Sequence, residues 1–186
     1  MALFSKLETE PVSKEKSIAA DQTIYFVGDL HLGDGSAGDA FRKKDAKMMD
    51  FIKMVRADNG HLVLLGNAMD FAQAWSINRV IKAHARLLRE LSEFAEDGGI
   101  TYVWGDFDTE ISLYQDLLRF DACSHLKIGD SILAQNGYQY TSTAREKPTE
   151  STGMKILERM LNTQFSMPLE NHYSLENRIR FGWKYL

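Results

Sequence analysis

Asp29 and His31 stand two residues apart where the apolar run Thr23-Ile24-Tyr25-Phe26-Val27 gives way to Gly28. In an extended chain, residues i and i+2 share one face, so a carboxylate and an imidazole at this spacing can address the same cation. The pair alone is a weak signal, and its meaning depends on partners elsewhere. Three further apolar runs end in similar punctuation: Gly66-Asn67 with Asp70, Gly105-Asp106 with Asp108, and Asn136-Gly137. Meeting at one place, these groups would approach a two-metal hydrolytic centre, in which carboxylates and histidines hold cations that activate a water. The set is poor in imidazole and contains two amides, which a working centre of this kind seldom does.

The elements that must position these groups follow from periodicity. Residues 23–31, 61–65 and 100–104 read as strands, the second continuously apolar and therefore buried on both faces. Phe41, Met48, Phe51, Ile52 and Val55 recur at helical spacing before the stop signal Asn59-Gly60, with a glycine- and aspartate-rich loop over residues 32–39 ahead of them. Ile77, Val80, Ile81, His84, Leu87, Leu88, Leu91 and Phe94 form the longest apolar stripe, closed by Asp97-Gly98-Gly99, and His84 is expected there as a packed boundary histidine. Residues 111–120 read as a short helix, and residues 125–128 and 131–134 as a hairpin about Gly129-Asp130. Strands alternating with helices predict an α/β fold with ligands beyond the carboxyl ends of the strands.

The chain has 186 residues, room for one domain with a real core. Residues 1–21 are expected to form a flexible N-terminal arm, residues 22–141 the domain, and residues 142–186 a helical C-terminal extension and tail. In that extension Ile156, Leu157, Met160 and Leu161 mark an amphipathic helix, and residues 178–186 interleave bases with the aromatics Phe181, Trp183 and Tyr185. A net charge of −4 speaks against a generic nucleic-acid binder. Cys123 has no cysteine to pair with, which fits a reducing cytoplasm, and no segment is apolar for long enough to cross a bilayer.

The order of the motifs resembles the calcineurin-like metallophosphoesterases, whose pattern runs GD-x-H, GD-x-x-D, GNH-(D/E), a histidine-glycine pair, and GH-x-H. The match extends over residues 23–141. Within the family, Gly66-Asn67-Ala68-Met69-Asp70-Phe71 and the nearby Trp75 are similar to the branch containing the lipid A-pathway UDP-diacylglucosamine pyrophosphatase. The resemblance implies a metallophosphoesterase-like βαβ sandwich with flanking helices, its C-terminal part shortened. It also implies metal-ligand roles for Asp29 and His31, which fit the first motif in full.

The remaining motifs depart from the family. Asn67 replaces the metal-bridging aspartate, Asp106 replaces an asparagine ligand, and Phe107 replaces the histidine or arginine that assists the leaving group. Asn136 replaces a histidine, while Asp70 and Asp108 are kept, and no GH-x-H occurs after residue 141. A neutral amide removes the charge that holds two dications together, although Asp106 leaves the carboxylate count unchanged. The expected metal set is therefore Asp29, His31, Asn67 and Asp106, holding either nothing or one weakly bound Mn, Mg, Zn or Fe ion. Phe107 cannot donate a proton or a hydrogen bond to a departing oxygen. The sequence thus predicts a pseudoenzyme acting as a binding or structural subunit, with Phe181, Trp183 and Tyr185 meeting a protein partner or a second copy. The alternative is an active phosphoester hydrolase using one metal or ligands supplied by a partner.

Overall fold

The continuously apolar run at residues 61–65 forms the inside of a parallel sheet with a different covering on each face. The structure, a computed structural model, describes residues 14–19 and 21–140. In chain order it contains β1 (Glu15–Ile18), β2 (Ile24–Val27), α1 (Asp45–Ala57), β3 (His61–Leu65), α2 (Phe71–Ala74) and α3 (Ile77–Glu96). There follow β4 (Ile100–Val103), a 3-10 turn (Thr109–Leu113), α4 (Gln115–Leu118), β5 (Ala122–Cys123), β6 (His125–Ile128), β7 (Ile132–Ala134) and a second 3-10 turn (Tyr138–Tyr140). The chain is an α/β fold.

Strands β2, β3, β4 and β5 pair in that order, all parallel, and β1, β6 and β7 form a second, mixed sheet. Because side chains alternate across a strand, each face of the four-stranded sheet has its own core. Leu62, Leu64, Ile100 and Tyr102 pack under α1 and α3, whose buried stripes include Ile52, Val55, Leu87 and Leu91. Val63, Val103 and Cys123 point the other way, onto Leu126, Ile128 and Ala134 of the second sheet. Burying each large aliphatic side chain in these layers contributes about 1.5–3 kcal/mol before chain entropy is counted. Cys123 is buried, and burial raises its thiol to about 11, so it stays protonated and packs as a small apolar residue.

Several expectations are corrected. Residues 15–18, placed in the N-terminal arm, form β1, because their backbone pairs in parallel with β6. Such pairing between residues far apart in sequence leaves no local pattern in a polar segment. The first helix begins at Asp45, since Lys43 adopts φ 64° and breaks the helical path after the buried Phe41. The single helix expected over residues 111–120 is a 3-10 turn and a short α-helix, with Leu113 and Leu117 exposed. The two-residue β5 lies between the expected helix and the expected hairpin. The expected helix at residues 154–165 and the tail at residues 178–186 lie outside the described residues. Among the described residues no helix is long and apolar enough to cross a membrane.

Candidate functional site

Strand β2 ends at Val27, and the main-chain pairing with the β3 side then continues through irregular backbone. The Asp29 N–H donates to the Gly66 carbonyl (3.0 Å), the His31 N–H to the Asn67 carbonyl (2.9 Å) and the Leu32 N–H to the Ala68 carbonyl (3.0 Å). Asp29, His31 and Asn67 all occupy the left-handed region, at φ 53°, 52° and 53°. Asp, Asn and His tolerate that region better than most residues, at roughly 1–2 kcal/mol each. Asp29 and His31 do meet, with Oδ1 and Nε2 3.8 Å apart. They meet because two left-handed residues turn them together, and the strand face invoked from their i, i+2 spacing ends before reaching them.

Asn67 is the centre of the site. Its Nδ2 donates to Asp29 Oδ1 (3.2 Å), and its Oδ1 accepts the Phe107 N–H (3.1 Å). The amide orientation follows from the backbone, since an N–H can only donate and must therefore face the carbonyl oxygen. Gly105 makes this approach possible: a Cβ there would lie 2.2 Å from Asn67 Oδ1. Gly66, at φ 77°, does the same for Asn136, whose Nδ2 would lie 2.1 Å from an added Cβ. The expected convergence of strand ends is thus present, and glycines create it by admitting side chains where Cβ atoms would stand.

His31 is buried, with its ring edge-on to Phe107 at 5.2 Å. Its Nδ1 lies 3.4 Å from Asp70 Oδ2 without forming an aligned hydrogen bond. Asp70 is held separately, accepting the Gln73 N–H (2.8 Å) as the N-cap of α2. Asp29 is open, with 71% of its side chain exposed. Asp106 is exposed and enters no hydrogen bond or ion pair among the described residues, so the structure does not join it to Asp29, His31 and Asn67.

The donor set fits a two-cation centre poorly. Asn67 offers a cation only its carbonyl oxygen, which already receives the Phe107 N–H, and its amide hydrogens occupy the Asp29 side. Asp29 and His31 alone supply two donors, fewer than the three or four protein ligands of most transition-metal sites. Among the described residues no three His, Cys, Asp or Glu side chains are arranged to hold a metal ion.

Asp108 is the buried frame of the site. Its carboxylate accepts the N–H groups of Ala68 (2.8 Å), Met69 (3.4 Å) and Gly105 (2.6 Å), together with the Tyr102 hydroxyl. It therefore ties the turn after β3 to the turn after β4, placing Asn67 against Gly105. Burial, reinforced by Asp108, raises Tyr102 well above its ordinary value, which keeps the hydroxyl protonated and donating. Burial likewise raises the Asp108 carboxyl, against the opposing pull of these donors.

A second polar cluster ties the loop that follows His31 to α1 and α3. His84 is buried within α3, with Nε2 2.9 Å from Asp39 Oδ2 and Nδ1 2.8 Å from Asp45 Oδ1. Only an imidazolium carries two N–H donors, so a ring serving both carboxylates is protonated. Burial opposes that charge, but the hydrogen bonds and charges of Asp39 and Asp45 outweigh it and raise the imidazole. Asp39 also accepts the Gly35 and Phe41 N–H groups (2.8 and 2.7 Å). Burial pushes its carboxyl up, yet these bonds and the His84 bond leave it below the ordinary carboxylate range. His84 is thus a charged clamp on the loop, and α3 departs from helical geometry at this residue (φ −120°). Its one sequence signal was an ionisable residue inside an apolar stripe, with nothing to name its partners.

Comparison of the chain with family models, curated proteins and solved structures returns no match. The likeness to metallophosphoesterases rests on the motifs themselves.

Proposed function

We propose that this chain has a metallophosphoesterase-like fold without working phosphoester hydrolysis, and that it serves as a binding or structural subunit. The observation carrying this reading is the Asn67 amide, hydrogen-bonded to both Asp29 and the Phe107 N–H. At the position where the resemblance calls for a bridging carboxylate, a neutral amide joins two strand ends through its own hydrogen bonds. Phe107 adds to this, since its ring packs against His31 and gives a leaving group no donor. The costly left-handed turns and the Asp108 frame persist around these groups, as in a scaffold kept for its shape. Any cation held here would depend first on Asp29 and His31.

The test is metal analysis of the purified full chain together with a manganese-dependent assay on bis(p-nitrophenyl) phosphate. The expected result is no turnover above free manganese. Turnover abolished by Asp29→Ala would overturn the reading in favour of a one-metal hydrolase. Introducing Asn67→Asp, Asp106→Asn, Phe107→His and Asn136→His together asks whether these four positions limit: if activity stays absent, the limiting defect lies outside them.

A further inference from the structure

His84 joins three segments that lie far apart in sequence. The loop after His31 reaches it through Asp39, whose Oδ2 is 2.9 Å from Nε2, and α1 reaches it through Asp45, whose Oδ1 is 2.8 Å from Nδ1. These two carboxylates are the charges that face the ring, one from the loop and one from the first turn of α1. Phe41 of the loop adds an aromatic edge, with ring centroids 6.0 Å apart. The cations on either side are turned elsewhere: Lys43 and Lys44 ahead of α1 and Lys82 and Arg86 on α3 are exposed, and Arg79 of α3 faces Asp34 at 4.0 Å.

The two carboxylates are not equivalent. The Asp39 side chain has no exposed surface, whereas 26% of the Asp45 side chain meets solvent. A buried carboxylate that loses a donor has no water to replace it, while a part-exposed one is solvated instead. A neutral imidazole carries one N–H, so it can serve one carboxylate and must turn a lone pair to the other. The remaining proton therefore stays on Nε2 beside Asp39, and the one that leaves goes from Nδ1 to solvent on the Asp45 side. The Nδ1 lone pair then faces the Asp45 carboxylate and repels it.

We propose that His84 is a proton-operated latch on α1: as an imidazolium it fastens the first turn of that helix to α3 through Asp45, and as a neutral imidazole it releases Asp45 while keeping the loop through Asp39. The freed turn has weak polar ties of its own. Lys44, its N-cap, supplies no side-chain bond, Lys43 just before it sits at φ 64°, and the Lys47 and Met48 N–H groups share the Lys44 carbonyl at 3.0 and 3.2 Å. The loop is held from a second side. Gln73 of α2 accepts the Asp34 N–H (2.9 Å) and donates to Asp34 Oδ1 (2.7 Å) and Ser36 Oγ (3.1 Å), bonds that the His84 proton does not touch. Gly33 admits this pin, since a Cβ there would lie 2.1 Å from Gln73 Oε1. Loss of the proton thus opens the start of α1 and leaves the loop leading from His31 in place. The imidazole is raised above its ordinary value of 6.5, so release falls on the alkaline side of that value. The latch is independent of whether the strand-end site hydrolyses anything.

The test is a pH series on the unaltered full chain, from about pH 5.5 to about pH 9.5, reading the imidazole nitrogens by NMR and the amides by hydrogen exchange corrected for its intrinsic pH dependence. Both ring nitrogens of His84 are expected to carry protons at the acid end and Nε2 alone at the alkaline end. With the same midpoint, the Lys47 and Met48 amides should exchange about fivefold faster or more, while Asp34, Gly35, Phe41 and residues 62–65 keep their protection. Asp45→Asn should abolish the step at Lys47 and Met48, because an amide can accept from the protonated ring and donate to the neutral one. Residues 62–65 report whether that variant is folded, and the unaltered chain decides the matter without it. The proposal is overturned by a ring that keeps one proton count across the series, by a neutral ring protonated on Nδ1, or by unchanged protection at Lys47 and Met48 through the transition. It is also overturned if Asp34, Gly35 and Phe41 open together with them, or if the step persists in folded Asp45→Asn.

Discussion

Replacing His84 by alanine removes the cation from between Asp39 and Asp45. The Asp39 side chain is fully buried and keeps two N–H donors, from Gly35 and Phe41, without a charge to balance it. Stripping one partner from a buried ion pair costs about 3–5 kcal/mol. A loss of that size is therefore expected for His84→Ala in urea unfolding followed by far-UV circular dichroism. The pH profile supplies a second signature. The imidazole is raised in the folded state above its ordinary value of 6.5, so its contribution is complete below about pH 6.5 and is lost as pH rises through the folded value. Each unit of that elevation is worth about 1.4 kcal/mol. Asp39 is lowered from 3.8, so its contribution is present above that pH and is lost as pH falls through its folded value. Together they place the pair's greatest contribution between roughly pH 4 and 6.5. In His84→Ala the alkaline decline assigned to the imidazole should vanish, and in a double-mutant cycle Asp39→Asn should recover much of the loss. A loss below about 1 kcal/mol, or an unchanged alkaline slope, would refute the buried imidazolium.

Other consequences concern the site itself. Asp108→Ala should destabilise the chain by about 3–5 kcal/mol, because it leaves the buried Ala68 and Gly105 N–H groups and the Tyr102 hydroxyl without their acceptor; denaturant unfolding measures it. Asn67→Asp replaces the hydrogen bond to Asp29 by two facing carboxylates, so a loss of about 1–3 kcal/mol is expected in metal-free buffer. Partial recovery on adding manganese, followed by thermal melts, would show that the added charge creates an ion site; equal melts in both buffers would show that it does not.

Framework and chemistry differed in how readily they could be read. Strand β3 and helix α3 were legible because each buries a long apolar pattern with its own period. The turns at Gly66 and Gly105 were legible as glycine followed by polar residues. Strand β1 was not, since Glu15-Lys16-Ser17-Ile18 carries little apolar signal and owes its state to pairing with β6. At the site, the neutral amide at residue 67 and the apolar ring at residue 107 could be read from residue types alone.

The sequence by itself determined which groups could reach the strand ends and that amides and an aromatic ring stood among the carboxylates and the single imidazole. It could not determine what Asn67 does there, because an amide can ligate, bridge or merely fill space. That was decided by the fold, which brings the Phe107 N–H to its oxygen and the Asp29 carboxylate to its nitrogen. The same holds for His84, a boundary histidine in one dimension and a buried cation in three. Periodicity records which face of an element is buried, whereas a hydrogen-bond partner some 40 residues away is set only when the layers close.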